Sequence, residues 1–195
     1  MRSHHSQKEL ERMKTMLKQL AGLTALSMAL IAASPAYAQN AHAGLNVRAA
    51  APAGVTLVAL NRYVDSGFRR LHWTSLIPPY GSVSYTLQGA SGSVSSTPFD
   101  GSHPLYSCFL TNPNIVGQRD DFTSTDPNCE GQQRHPGAWG QNGYIASTNI
   151  PGTIPLYRCL YNNGQGWFDH FDTVHANCEG GSNVVNEGIQ GYVFN

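Results

Sequence analysis

The sequence predicts an all-β domain, β-trefoil-like, built from three pseudo-repeats of about 45–51 residues. Three observations predict it. Residues 103–195 repeat themselves, and 55–100 hold a weaker third copy. The repeated runs carry strand chemistry and show no sustained i, i+3, i+4, i+7 apolar stripe. Finally, 20 Gly and 11 Pro in 195 residues argue for many turns and few long helices. A β-sandwich is the alternative, because strand count alone does not separate the two.

The chain opens on a leader. Lys14 and Lys18 precede an apolar run at 20–33, and Ala36-Tyr37-Ala38 has the small-residue pattern of a signal-peptidase site. Ser34-Pro35 ends the run short of the ~20 apolar residues that a membrane span needs. Residues 1–38 therefore read as a signal peptide, with 1–12 as a polar extension upstream of a better start at Met13. Cleavage after Ala38 leaves 157 residues with no Lys, seven Arg and ten acids, a formal charge of −3. Such a product has no electrostatic attraction to nucleic acid or an anionic membrane. The expected product is secreted or periplasmic, soluble, monomeric and not inserted in a membrane. Residues 39–54, rich in Ala and Gly, read as a flexible lead-in.

The domain spans 55–195, with copies at about 55–99, 100–150 and 151–195. Pro104-Leu105-Tyr106-Ser107-Cys108 matches Pro155-Leu156-Tyr157-Arg158-Cys159. Asp120-Asp121-Phe122 matches Asp169-His170-Phe171, Asn128-Cys129-Glu130-Gly131 matches Asn177-Cys178-Glu179-Gly180, and Gly143-Tyr144-Ile145 matches Gly191-Tyr192-Val193. In the first copy, Leu60-Asn61-Arg62-Tyr63, Leu71-His72-Trp73 and Gly92-Ser93-Val94 take the corresponding places, without cysteine. Each copy should supply about four strands. Three copies are too few for a propeller, whereas closing three units on themselves removes exposed sheet edges. Equivalent copies should form equivalent disulfides, which selects Cys108–Cys129 and Cys159–Cys178. A four-cysteine zinc site would want a C-x₂-C pair, which is missing.

The strings LYRC at 156–159, DHFDT at 169–173, NCEG at 177–180 and EGIQGYV at 187–193 resemble a family of secreted repeat modules, a domain of unknown function with a β-trefoil-like fold. Such modules are often attached to secreted bacterial and fungal hydrolases, so the resemblance implies a binding or targeting accessory. The chain departs from the pattern at Asp121, where the family has His, and at Asn142-Gly143, where it has an acidic residue before Gly. No catalytic residue carries over.

The residues themselves point away from catalysis. Asp169, His170, Asp172 and His175 form the densest polar cluster, but the histidines are five apart and the second copy brings none. We expect no metal and no cofactor there, with Asp-His-Phe a structural tripeptide whose His is bonded in a turn. A nucleophile elbow is absent from the sequence, and adjacent strand carboxylates such as Asp120 and Asp121 point to opposite faces. The expectation is a non-catalytic binding module for carbohydrate or a cell-surface glycan, because sugar rings stack on aromatics and pair with amides and acids. The candidate contacts are Trp139 with Gln141 and Asn142, and Trp167 with Asn163 and Asp169. The alternative is a secreted protein-binding module such as a protease inhibitor, with Arg69-Arg70 or Arg134 in a presenting loop.

Overall fold

The computed structural model describes residues 51–67, 70–81, 84–111 and 118–195, all within the unit Leu45–Asn195. The signal peptide, its cleavage site, most of the lead-in and Arg69 lie outside the described residues.

The chain is all-β. In order, the strands are β1 (Leu57–Asp65), β2 (His72–Ser75), β3 (Tyr85–Ser95), β4 (Ser102–Thr111), β5 (Arg119–Ser124), the two-residue β6 (Gln133–Arg134), β7 (Gln141–Ala146), β8 (Thr153–Asn162), β9 (Phe168–Thr173) and β10 (Val184–Phe194). Short 3₁₀ turns lie at Cys129–Gly131, Gly137–Gly140 and Cys178–Gly180. All pairings are antiparallel within one sheet.

One pairing scheme occurs three times. β1 lies between β2 and β3, β4 between β5 and β7, and β8 between β9 and β10. The register agrees with the alignment: Cys108 faces Phe122, Cys159 faces Phe171, and Tyr63 faces Trp73. The third strands then join one another in a ring, through Ser95↔Tyr144, Ala146↔Tyr192 and Phe194↔Ser93. Each segment thus supplies three substantial strands rather than the expected four. The stretches after β5 and β9 are spent on turns around the disulfides. This all-β arrangement is compatible with both trefoil-like and sandwich architectures.

The core follows from the same pattern. Its central cluster is Leu60, Leu105 and Leu156 from the first strands and Val94, Ile145 and Val193 from the third strands, all fully buried. Each such side chain stabilises by about 1.5–3 kcal/mol on burial. The strand ends can meet because glycines stand where they cross. A Cβ on Gly143 would lie 2.5 Å from the Ser95 carbonyl oxygen, and one on Gly191 would lie 2.6 Å from Ile145 Cδ1. Both also have positive φ, +76° and +149°, which glycine alone adopts without strain.

Disulfides join Cys108 to Cys129 and Cys159 to Cys178, with Cα–Cα distances of 5.7 and 5.9 Å. Each ties the middle of a first strand to the following 3₁₀ turn. No helix among the described residues is long and apolar enough to cross a membrane.

Candidate functional site

The chemistry of the domain lies at three seams, where one segment meets the next. Two are built alike. Where the first segment meets the third, Arg62 donates to both carboxylate oxygens of Glu179, at 2.6 and 3.3 Å, and to the Asp172 carbonyl at 3.1 Å. Its guanidinium sits 5.7 Å from the centre of the Phe171 ring. Where the third segment meets the second, Arg158 repeats the arrangement. It donates to Glu130 at 2.7 and 3.1 Å and to the Thr123 carbonyl at 2.9 Å, 5.4 Å from the centre of Phe122. These forked bonds are charge-assisted and geometrically specific. The bonds from Arg158 hold the Glu130 carboxyl below the usual carboxylate range.

The NCEG strings explain how the acids reach their partners. Cys129, Glu130, Cys178 and Glu179 all have positive φ, between 50° and 60°. Left-handed backbone at a non-glycine residue costs roughly 1–2 kcal/mol. Here it turns each glutamate back toward the neighbouring segment. Asp126 braces the first turn by accepting the N–H groups of Asn128 and Glu130.

A second contact at the same two seams pairs histidine with aspartate. Asp169 accepts the backbone N–H of His72 at 2.8 Å and pairs with its Nδ1 at 2.6 Å. Asp120 accepts the backbone N–H of His170 at 2.8 Å and pairs with its Nδ1. His170 Nε2 also lies 3.3 Å from Glu187. Both ring nitrogens of His170 therefore face carboxylates, which only accept, and the ring is held as the imidazolium. Burial opposes that charge, but Asp120 and Glu187 outweigh it and raise the pKa to about 9. The histidine of the Asp-His-Phe tripeptide thus lies on a strand and bridges segments, rather than sitting bonded in a turn. Among the described residues, no group of three or more His, Cys, Asp or Glu is arranged to hold a metal ion.

The seam between the first and second segments is different. Leu71 stands where the others have Asp, and Ser107 where they have Arg. Trp73 takes the phenylalanine position, fully buried, and donates from Nε1 to Ser107 Oγ at 3.1 Å. His135 stacks on it at 4.2 Å and 20°. His135 also bridges Asp121, 2.8 Å from Nε2, and Tyr80, 3.2 Å from Nδ1. Arg119 lies 4.7 Å over Trp73 and 3.1 Å from Asp121. Burial pushes the Asp121 carboxyl up, against the pull of His135 and Arg119. Burial, and then Asp121, pushes the Tyr85 hydroxyl up to about 12.

The two candidate aromatic groups fare differently. Trp139 is half-buried in this third seam. It donates to the Pro78 carbonyl at 3.0 Å and packs against Tyr80 at 4.6 Å. Asn142 is buried and donates to the Thr74 carbonyl at 2.9 Å, while Gln141 is half-buried and opens β7. Trp139 and Asn142 thus tie two segments together, while Gln141 pairs with Tyr106 inside its own segment. Asp169 is likewise buried and committed to His72. Neither Asn142 nor Asp169 is available to a ligand in the way the sequence suggested, because each is buried, with its side chain bonded across a seam.

The rest of the second group holds together. Residues 162–166 are exposed, and 163–167 join β8 to β9. Asn163 accepts the N–H groups of Gln165 and Trp167 at 2.9 and 3.1 Å, and Asn162 accepts that of Gly164 at 2.8 Å. The turn is fixed by its own amides, with half-buried Trp167 at its foot. Family models, curated proteins and solved structures contain no match to this chain.

Sequence reasoning missed Arg62, Arg158, Tyr80, Arg119 and His135. The signal for the two arginines was present in the repeat, since Arg62 and Arg158 stand at matching places, as do Glu130 and Glu179. The signal for the third seam was Asp121, the departure from His.

Proposed function

We propose that the chain is an exported, non-catalytic module that binds carbohydrate or a cell-surface glycan, with a trefoil-like closure of its three segments. The two disulfides and the leader pattern at 14–38 support export. The observation that carries the binding reading is the turn at 162–167. It places exposed amides from Asn162, Asn163 and Gln165 beside an indole, on a backbone fixed by three Asx hydrogen bonds. A rigid turn loses little entropy when a sugar docks, so a few bonds suffice for weak affinity.

A glycan array followed by titration tests this reading. We expect Kd in the micromolar to millimolar range, on the order of −8 to −4 kcal/mol. Trp167→Ala should weaken binding about tenfold or more, the equivalent of roughly 1.4 kcal/mol, without loss of cooperative unfolding. A blank array, or full binding by a folded Trp167→Ala protein, would overturn it. A blank array together with capture of a secreted protease would favour the protein-binding alternative.

A further inference from the structure

The seam between the second and third segments holds an open cleft of about 480 Å³. Its walls include His103, Thr125 and Ser147 on one side and Ile189, Gln190 and Tyr192 on the other. Three features distinguish it. It is uncharged, with no Asp, Glu, Lys or Arg among the described lining residues. Its apolar part is exposed: Ile189 is 48% accessible, beside the half-buried Tyr192. Its polar edge is pre-set. His103 Nε2 donates to the Gln190 carbonyl at 3.0 Å, so one neutral tautomer lets Nδ1 accept from Ser147 Oγ at 2.8 Å. Ser147 Oγ then keeps acceptor capacity for a ligand.

Among the described residues, the other two seams are arranged differently. The corresponding cleft between the first and third segments is smaller, about 200 Å³, and charged by Arg62 and Glu179, which are committed to each other. At the third seam, Asn142 takes the place of Gln190 and is consumed by the Thr74 carbonyl, while Trp139 bridges to Pro78.

A neutral pyranose presents a C–H face and a rim of hydroxyls. The Ile189–Tyr192 wall suits the face, and Gln190, Thr125 and Ser147 suit the rim. The volume lies in the range of small-molecule sites. We propose that this cleft is a second carbohydrate site, specific for a neutral pyranose, which makes the chain bivalent for glycan. The proposal rests on the carbohydrate reading above. Two sites on one rigid chain would gain avidity on a polymeric surface without any new contact.

The test is backbone amide chemical-shift mapping of the full mature chain. The probes are methyl α-mannopyranoside, methyl β-glucopyranoside, methyl β-galactopyranoside and N-acetylglucosamine, each taken to tens of millimolar, with glucuronate as the acidic control. At least one neutral sugar should shift residues 189–192 and Ser147, with at most about a twofold change in affinity from low to high salt. The double variant Thr125→Ala, Gln190→Ala should abolish those shifts and leave any at 163–167 in place. Ile189→Ser provides a second, milder variant with the same expected direction. Shifts confined to 163–167 would overturn the cleft and leave the glycan reading standing. Shifts at 189–192 alone would uphold the cleft and remove the Trp167 turn. Silence at both places for all four sugars would overturn both. Glucuronate binding that matches the neutral sugars at low salt and falls with added salt would overturn the neutral specificity.

Discussion

Replacing His170 by Gln should remove most of a pH dependence that the native fold carries above neutrality. In the folded state His170 is pushed up to about 9, from an ordinary 6.5, by Asp120 and Glu187 against the cost of burial. A group whose folded pKa exceeds its unfolded value holds its proton more tightly when folded. Its stabilisation is complete below about pH 6.5 and disappears as the pH rises through about 9. That span is worth about 3 kcal/mol at about 1.4 kcal/mol per pH unit. The partners pull in opposite directions, since burial raises the Asp120 carboxyl even though His170 works to lower it. We take the pair as ionised, because Asp120 accepts two N–H donors from His170. A raised Asp120 carboxyl lowers stability at every pH above its own titration and does not reduce the loss on going up in pH, so the expected net loss is about 2–3 kcal/mol between about pH 6 and pH 9.5. Urea unfolding midpoints at those two pH values measure it. The upper limit matters, because Tyr85, raised to about 12 by burial, begins to destabilise the fold once unfolded tyrosines ionise near pH 10. All four cysteines are paired, so no thiol is available to shuffle at alkaline pH. His170→Gln should be less stable at pH 6 and nearly flat across the window. Parallel loss of stability by wild type and variant, or a flat wild type, would refute the seam electrostatics.

Two further outcomes test the packing. Leu60→Ala, Leu105→Ala and Leu156→Ala should each cost about 2–5 kcal/mol in chemical denaturation, whereas exposed Leu87→Ala should stay within about 0.5 kcal/mol; unequal costs, with one leucine near zero, would show that the three positions do not share a core. Gly143→Ala should lower the melting temperature by more than Gly164→Ala, since both strain a positive φ but only at Gly143 would the new methyl meet backbone, 2.5 Å from the Ser95 oxygen; equal shifts would count against the tight strand crossing.

What was legible in the sequence was whatever repeats. The offset between LYSC at 105–108 and LYRC at 156–159 located both disulfides. It also aligned Leu60, Leu105 and Leu156, which the structure buries together. The all-β class followed from turn spacing and the missing helical stripe. The seams were harder to read, because their contacts run between different copies while an alignment compares like with like. Asp120 and His170 belong to separate copies and meet only when the ring closes. The sequence marks Trp139 and Trp167 only as aromatics beside amides and an acid, and that pattern does not separate a surface platform from a strut. For Trp139 the deciding partner is the Pro78 carbonyl, 61 residues earlier, which has no sequence mark.

The third seam shows why an exception to a repeat can be coherent. Ser107 in place of arginine leaves no cation to satisfy an acid on the facing strand. Gln141 faces Tyr106 as Ile189 faces Tyr157, so two residues upstream Trp139 stands where Glu187 does, and the acid is gone. Ser107 also leaves space, which Trp73 fills while donating to its hydroxyl. Leu71 in place of aspartate deprives position 121 of the partner that His72 and His170 have. Asp121, an acid at that histidine position, pairs instead with His135 and Arg119. Each change would destabilise the fold alone, since a lone buried carboxylate costs several kcal/mol. Together they replace a polar clamp with an aromatic stack, each ring pair worth about 0.5–1.5 kcal/mol. This stack serves the segment that has no disulfide. Aromatic packing thus closes this seam, whereas the described residues between the second and third segments leave a cleft lined by His103, Gln190 and Tyr192.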